Sequence, residues 1–451
     1  MIRVDRQALA ALHEREAARF LAMHARSAAL AAEDAQHFLF GVPLHWMRDW
    51  PTPAVLHVER AQGNRLYCAD GHEYLDFCLG DTGAMFGHSP APVARAIAGQ
   101  ASRGLTAMLP STLTAEVGQR LAHCFRLPRW QITLSASDAN RFVLRWARAI
   151  THRPRVLVFD GCYHGTVDDT LVDMDAQQRT LTRASLLGQV HDLALGTVVV
   201  PFNDIAALER ALARGDVACV LTEPALTNCG LVPPLPGFLA QLQRACRAHG
   251  TLLVLDETHT VSSGWGGHAR VEELEPDFMV IGKAIAGGLP CAVYGFSEAM
   301  NARMEAAKRA APDGHSGIGT TLSANLLAIA ALHANLGEVM TPANYERMLA
   351  TAAAIEARLR ETLQHAGLPW SVTRLGARME LQFCASPPRD AAQARAAMDD
   401  EVERALHLWL LNRGIVITPF HNMLLVSPHT QAAAAEPLAQ ALAGFIAELR
   451  T

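Results

Sequence analysis

Lysine is nearly absent from this 451-residue chain: of its 39 basic residues only two, Lys283 and Lys308, are lysines, and the rest are arginines. Any chemistry that needs a primary amine therefore has two candidates. Aromatic residues are also few, at 6%, and charged residues make up 18% against 50% apolar. With 44 acidic residues the net charge is -5, and no long basic block occurs, so there is no electrostatic footprint for nucleic acid. No run approaches the ~18 apolar residues needed to cross a bilayer. The nine cysteines are odd in number and include no C-x-x-C pair, which fits neither a disulfide framework nor a zinc site. No metal site is expected. The N-terminal stretch MIRVDRQALAALHEREAARF lacks a continuous apolar core, so it reads as an amphipathic helix and not a secretion signal. The expected setting is a reducing one, the cytoplasm, and the expected partners are small molecules.

What is present has a clear rhythm. Residues 1–35 look helical, and 56–77 alternate in short stretches broken by Gly63-Asn64 and Asp70-Gly71, the turn chemistry of a β-meander. A glycine-bearing loop, Gly80 to His88, follows. Beyond residue 130 come seven short, nearly all-apolar runs: 131–135, 155–159, 197–202, 217–224, 251–257, 278–283 and 292–297. Runs apolar at successive positions suit strands buried on both faces, and the segments between them carry helix signals. This predicts an α/β domain with a mostly parallel seven-stranded sheet. After about residue 335 the pattern turns to helix, strands, helix, strand, helix, a smaller α+β unit. No linker separates the parts. The expected organisation is an N-terminal segment over 1–75 packing with a small C-terminal domain over 336–451, around a large domain over 76–335.

Chemically distinctive residues stand just past several strand ends. In open α/β sheets ligands bind outside the strand C-termini, so Ser135-Ala136-Ser137, Tyr163-His164, Glu223, Asp256-Glu257 and Lys283 are read as converging on one crevice. An amine leaving the apolar run FMVIG into a partly dry crevice suits nucleophilic or Schiff-base chemistry, although a snorkelling surface lysine is the ordinary alternative. Asp256 ends a strand with no polar residue before it and needs a partner: an arginine, or the protonated ring nitrogen of a pyridoxal phosphate cofactor. Ser135-Ala136-Ser137 opens a helix, as either a phosphate cradle or a plain N-cap. Tyr163 supplies a flat face between two glycines. His164 and His259 read as structural histidines and receive no catalytic role.

Together these stretches resemble the class III, or ω-aminotransferase, family of pyridoxal-phosphate enzymes of fold type I, from about residue 35 to 445. The pieces that carry the resemblance are YCADGHEYLDF with GHSP, SASDAN, FDGCYHG, TEP, LDETHT, GK-x-x-x-GG and GTTLSAN, in the family's order. The resemblance implies Lys283 as the Schiff-base lysine, Asp256 as partner of the pyridine nitrogen and Tyr163 as the stacking residue. It implies Ser135, Ala136 and Ser137 as the phosphate cradle and Glu223 near cofactor and substrate. Thr321 would reach the phosphate from a neighbouring subunit, so a homodimer with shared active sites is implied. Departures are Ala136 and Ser137 in place of glycine and threonine, Thr258 where valine is usual, which sets a hydroxyl near the ring, and Leu425 where many relatives carry an arginine. Substrate contacts are expected from His45 and Trp46 in the loop GVPLHWM and from Arg378, a candidate carboxylate clamp or else a structural arginine.

The activity expected on this basis is a ping-pong aminotransferase, moving an amino group from an amino acid or amine to a 2-oxo acid or aldehyde. An aminomutase or racemase built on the same lysine and aspartate is the alternative, resembling glutamate-1-semialdehyde aminomutases. A non-catalytic cofactor-binding module is the remaining one.

Overall fold

The computed structural model describes residues 4–449, which form two compact units. One contains the chain up to Pro90, Glu346–Pro387 and everything from Ala396 on; the other contains Ala91–Tyr345 and Pro388–Arg395.

The second unit is built on a seven-stranded sheet. Its strands are β1 (Arg129–Thr133), β2 (Arg155–Phe159), β3 (Thr197–Val200), β4 (Val217–Thr222), β5 (Leu252–Asp256), β6 (Phe278–Ile281) and β7 (Ala292–Phe296), in the spatial order β1-β7-β6-β5-β4-β2-β3. Every residue of β4, β5, β6 and β7 is buried, which is why their sequences are apolar at consecutive positions. The helix Ala136–Thr151 turns Ala139, Phe142, Val143, Ala147 and Ile150 into the core, and Ile205–Leu212 starts where the Asp204 carboxylate accepts from the Ala207 amide at 2.9 Å.

The sheet is parallel except at β7, which runs antiparallel to both β6 and β1. The reason is the connection. Only residues 282–291 separate β6 from β7, too few for a crossover helix, so the chain turns back on itself. That turn carries Lys283.

In the first unit the helices Arg6–Met23 and Ala25–Asp34 open the described chain; the first three positions of the expected N-terminal helix lie outside the described residues. Leu9, Leu12, Glu16 and Phe20 form the buried stripe of the first helix, and Arg413 satisfies the Glu16 carboxylate at 3.1 Å. The expected meander is present as Val58–Gln62, Arg65–Cys68 and Glu73–Asp76, with Ile415–Val416 pairing parallel to its last strand. A second sheet of Ser371–Leu375, Arg378–Gln382 and Met423–Leu425 is antiparallel throughout. Both ends of the chain thus build this α+β unit. The loop at Gly80–His88 belongs here as well, since Gly63 and His88 exchange two backbone hydrogen bonds and the His88 ring meets Asp76 at 2.7 Å. All nine cysteines are free, and among the described residues no single helix is long and apolar enough to cross a membrane.

Candidate active site

The parallel register of β5 and β6 sets Asp256 opposite Val280, so the two strands end together and Gly282-Lys283 emerges beside the Asp256 turn. The next strand, β4, ends at Thr222 and hands over Glu223 on the same side of the sheet. From β2 the chain enters the loop Asp160–Gly165, and from β1 it reaches Ser135 and the helix start. Five strand ends thus deliver functional groups to one edge, as expected of an open α/β sheet.

Asp256 lies at the centre of a buried polar cluster. Its Oδ2 accepts from His164 Nδ1 and from Asn140 Nδ2, both at 2.9 Å, while Oδ1 accepts from the Thr258 amide at 3.1 Å. Burial by itself favours the neutral acid, but the His164 bond and charge, with the amide donors, outweigh it and hold the carboxyl at about 2. The same bond works on its partner: burial disfavours a charged imidazole, and the Asp256 contact overcomes this, raising His164 to about 10. The pair is an ion pair at neutral pH. Beside it, Glu223 is pushed up to about 7 by burial, with Thr227 donating its hydroxyl at 2.5 Å. Sequence reasoning set His164 at this crevice but gave it no catalytic role. Its only signal was its place next to Tyr163 in a glycine-flanked turn.

Two glycines let the elements close up. A side chain at Gly282 would stand 2.8 Å from Ala136 Cβ and 3.5 Å from Thr258 Cγ2, so the strand end that carries Lys283 lies against both the helix start and the Asp256 turn. At Gly165, with φ +83°, a Cβ would fall 2.1 Å from Ser137 Oγ. That hydroxyl accepts from the Thr166 amide at 3.0 Å, tying the Tyr163 loop to the helix N-terminus. Ser135 has the geometry of an N-cap: its hydroxyl accepts from the Asp138 amide at 3.2 Å and donates to the Asp138 carboxylate at 3.1 Å. The anion-binding capacity therefore sits with the first helical amides, those of Ala136 and Ser137, which have no partner within a helix. Tyr163 is exposed on that loop.

Lys283 has φ 46°, in the left-handed region that a side-chain-bearing residue occupies only at a cost of about 1–3 kcal/mol. Its Nζ lies 2.9 Å from Nε2 of His259, a buried histidine three residues past Asp256. This residue too was passed over in the sequence, where its signal was the Asp256-Glu257-Thr258-His259 run immediately after a strand.

Of the remaining candidates, Thr321 belongs to the second unit and the others to the first. Thr321 is exposed on the stretch 311–325 and makes no side-chain hydrogen bond among the described residues. His45 and Trp46 belong to the first unit, in the exposed 3-10 turn His45–Asp49, where Trp46 meets Phe420 edge-on at 6.1 Å. Arg378, in the same unit, is buried and not a surface residue; its guanidinium donates to the Thr82 hydroxyl, and its cross-strand neighbour is Leu425.

The second unit's residues fit pyridoxal phosphate. A buried carboxylate held anionic suits a protonated ring nitrogen, helix amides suit a phosphate, and the buried Thr258 hydroxyl, beside the lysine-bearing turn, finds no hydrogen-bond partner among the described residues. Comparison with known proteins agrees. The class III aminotransferase family model matches residues 47–445. A glutamate-1-semialdehyde 2,1-aminomutase of Sorangium cellulosum is 36% identical over 369 residues, covering 81% of this chain and 82% of its own. A glutamate-1-semialdehyde aminomutase of Pseudomonas aeruginosa PAO1 has been solved both unsubstituted and as a lysine-to-alanine variant in complex with PMP. Each is 47% identical with a TM-score of 0.96 over 99% of both chains. A β-phenylalanine aminotransferase of Variovorax paradoxus is 26% identical, with a TM-score of 0.84 over 98% of this chain and 97% of its own. The chain belongs to the class III aminotransferase family, pyridoxal-phosphate enzymes of fold type I.

Proposed function

We propose that this enzyme moves an amino group within a single small amino-aldehyde, as a 2,1-aminomutase acting on glutamate-1-semialdehyde. The observation that carries this reading over the external aminotransferase is the likeness, along 99% of the chain, to a protein of that name. The geometry of the second unit supports the chemistry that both activities share.

Bound pyridoxal phosphate supplies an electron sink for the carbon bearing the donor nitrogen. Lys283 would be the base that takes the proton from that carbon and the acid that returns it. Asp256, kept anionic by His164 and Asn140, balances positive charge on the ring nitrogen. Tyr163 and Thr258 would help to hold the ring, Tyr163 through its aromatic face. The Ala136 and Ser137 amides hold the phosphate, and Glu223, with Thr227, presents a carboxyl whose raised value lets it donate or accept near neutrality. The active unit is proposed to be a homodimer in which Thr321 completes the phosphate site of the partner. Leu105, Met108, Leu109 and Leu322 are exposed apolar residues of the same unit, and the Leu105 carbonyl accepts from the Leu326 amide at 2.9 Å, which brings the two stretches together. Nine free cysteines support a reducing compartment.

The test is incubation of the cofactor-loaded enzyme with glutamate-1-semialdehyde and no added acceptor. The isomer in which the amino and oxo groups have exchanged places should accumulate. If turnover instead demands a 2-oxo acid in stoichiometric amount and releases a free oxo product, the aminotransferase is the right reading. The likeness to the Variovorax paradoxus enzyme is what favours that second reading.

A further inference from the structure

We infer that His259 is a positioning residue that docks the Lys283 amine during the part of the reaction in which that amine is free. The inference rests on the reading of Lys283 as the lysine that carries the cofactor.

The carrying observation is the 2.9 Å separation of Lys283 Nζ and His259 Nε2, on two turns that are each held by hydrogen bonds. His259 precedes the 3-10 turn Thr260–Ser263, and its own carbonyl accepts from both the amide (3.2 Å) and the hydroxyl (2.9 Å) of Ser262. The Val261 amide donates to the Glu257 carbonyl at 2.8 Å. The buried Glu257 side chain in turn accepts from Thr260 Oγ1 (2.5 Å) and from the amides of His268 (3.0 Å) and Ala269 (2.6 Å). On the other side, Asn335 Nδ2 donates to the carbonyls of Ala284 (3.0 Å) and Ile285 (2.8 Å), fixing the turn that begins at Lys283. A lysine has four rotatable bonds and scatters its amine when unrestrained. Here an imidazole on a hydrogen-bonded turn meets it.

Proton balance assigns His259 a supporting part. When the donor carbon loses its proton, the C–H bond breaks with its electron pair left on the substrate side, and an N–H bond forms at Nζ. The ammonium so formed donates to His259 Nε2. Return of the proton breaks that N–H bond and forms the new C–H bond, while His259 neither gains nor loses a proton. Its contribution is to keep Nζ in one place between the two transfers, where proximity counts.

The scarcity of lysine makes the test clean. The full-length enzyme is loaded with pyridoxamine phosphate, which leaves Lys283 free, and treated with limiting acetic anhydride. Peptide mass spectrometry then gives the acetylation of Lys283 relative to Lys308, an exposed lysine that serves as internal reference. A hydrogen bond must be released before the amine reacts. His259→Leu should therefore raise the Lys283:Lys308 ratio roughly five-fold, the size of one net hydrogen bond, whereas His259→Gln, whose Oε1 accepts, should stay near the parent value. The Leu variant should lose kcat with little change in KM, and Gln should recover most of it. An unchanged ratio in His259→Leu, or an equal rise in both variants, overturns the inference. If the Leu variant does not fold, His259→Asn, too short to reach Nζ, replaces it. Loading the parent enzyme with pyridoxal phosphate and reducing with borohydride is the separate control: an adduct missing from Lys283 would overturn the underlying assignment of the lysine.

Discussion

Asp256 and His164, both buried, each set the other's charge across one 2.9 Å bond. Their contributions to stability have opposite pH limits. Asp256 is depressed from 3.8 to about 2, so its share is present above 3.8 and lost as pH falls through about 2. His164 is raised from 6.5 to about 10, so its share is complete below 6.5 and lost as pH rises through about 10. Between the two limits the pair is intact. Asp256→Asn keeps a hydrogen-bond acceptor but removes the charge. The variant should unfold about 2 kcal/mol more easily at neutral pH, and its melting temperature should change less than the parent's on going from pH 7 to 10. Turnover should fall on the order of 10²–10³-fold, because a carboxamide cannot balance a protonated ring. Melting curves across that range, with steady-state rates, check both parts. A variant whose alkaline limb matches the parent's would show that His164 draws its charge from elsewhere.

At the level of elements, the strand ends were legible because their cause is local. In the run 155–159 every position after Arg155 is apolar, and the structure starts and stops β2 at those residues. The reversal of β7 was less visible, since it follows from the ten-residue connection and not from the strand's own composition. The bond between His164 and Asp256 was not legible: 92 residues and a whole strand, β4, separate them, and only the assembled sheet brings ring and carboxylate together. That assembly depends on glycines whose need is invisible until the facing element is known. Gly165 is the sharpest case. Gly165→Ala adds a methyl within 2.1 Å of Ser137 Oγ at a φ of +83°, so either the Tyr163 loop or the helix start must move. The expected cost is about 2–4 kcal/mol, adding backbone strain to overpacking. Pyridoxal phosphate should also bind more weakly, since the displaced parts are its proposed ring and phosphate contacts. Calorimetry with a cofactor titration measures the two effects. Full stability with normal cofactor affinity would mean that this contact is slack.

For the whole molecule, the exposed apolar residues of the second unit are an unbalanced account for a monomer. Met108 is 78% and Leu109 71% exposed, and the nearby stretch that holds Leu322 also carries Thr321. Apolar side chains in such a group lose contact with water when a second copy covers them, which favours association in proportion to the area buried. The double variant Met108→Glu, Leu109→Glu puts two like charges into the proposed interface. Dimer affinity should weaken by about 3 kcal/mol, roughly a hundredfold, read by sedimentation at micromolar concentration. Pyridoxal phosphate should then leave the enzyme more readily on dilution, because each phosphate site would lose the threonine from the other subunit, and Thr321→Val should weaken retention without splitting the dimer. A parent protein that sediments as a monomer, or a monomeric variant that keeps its cofactor as tightly as the parent, would place the whole phosphate site within one chain.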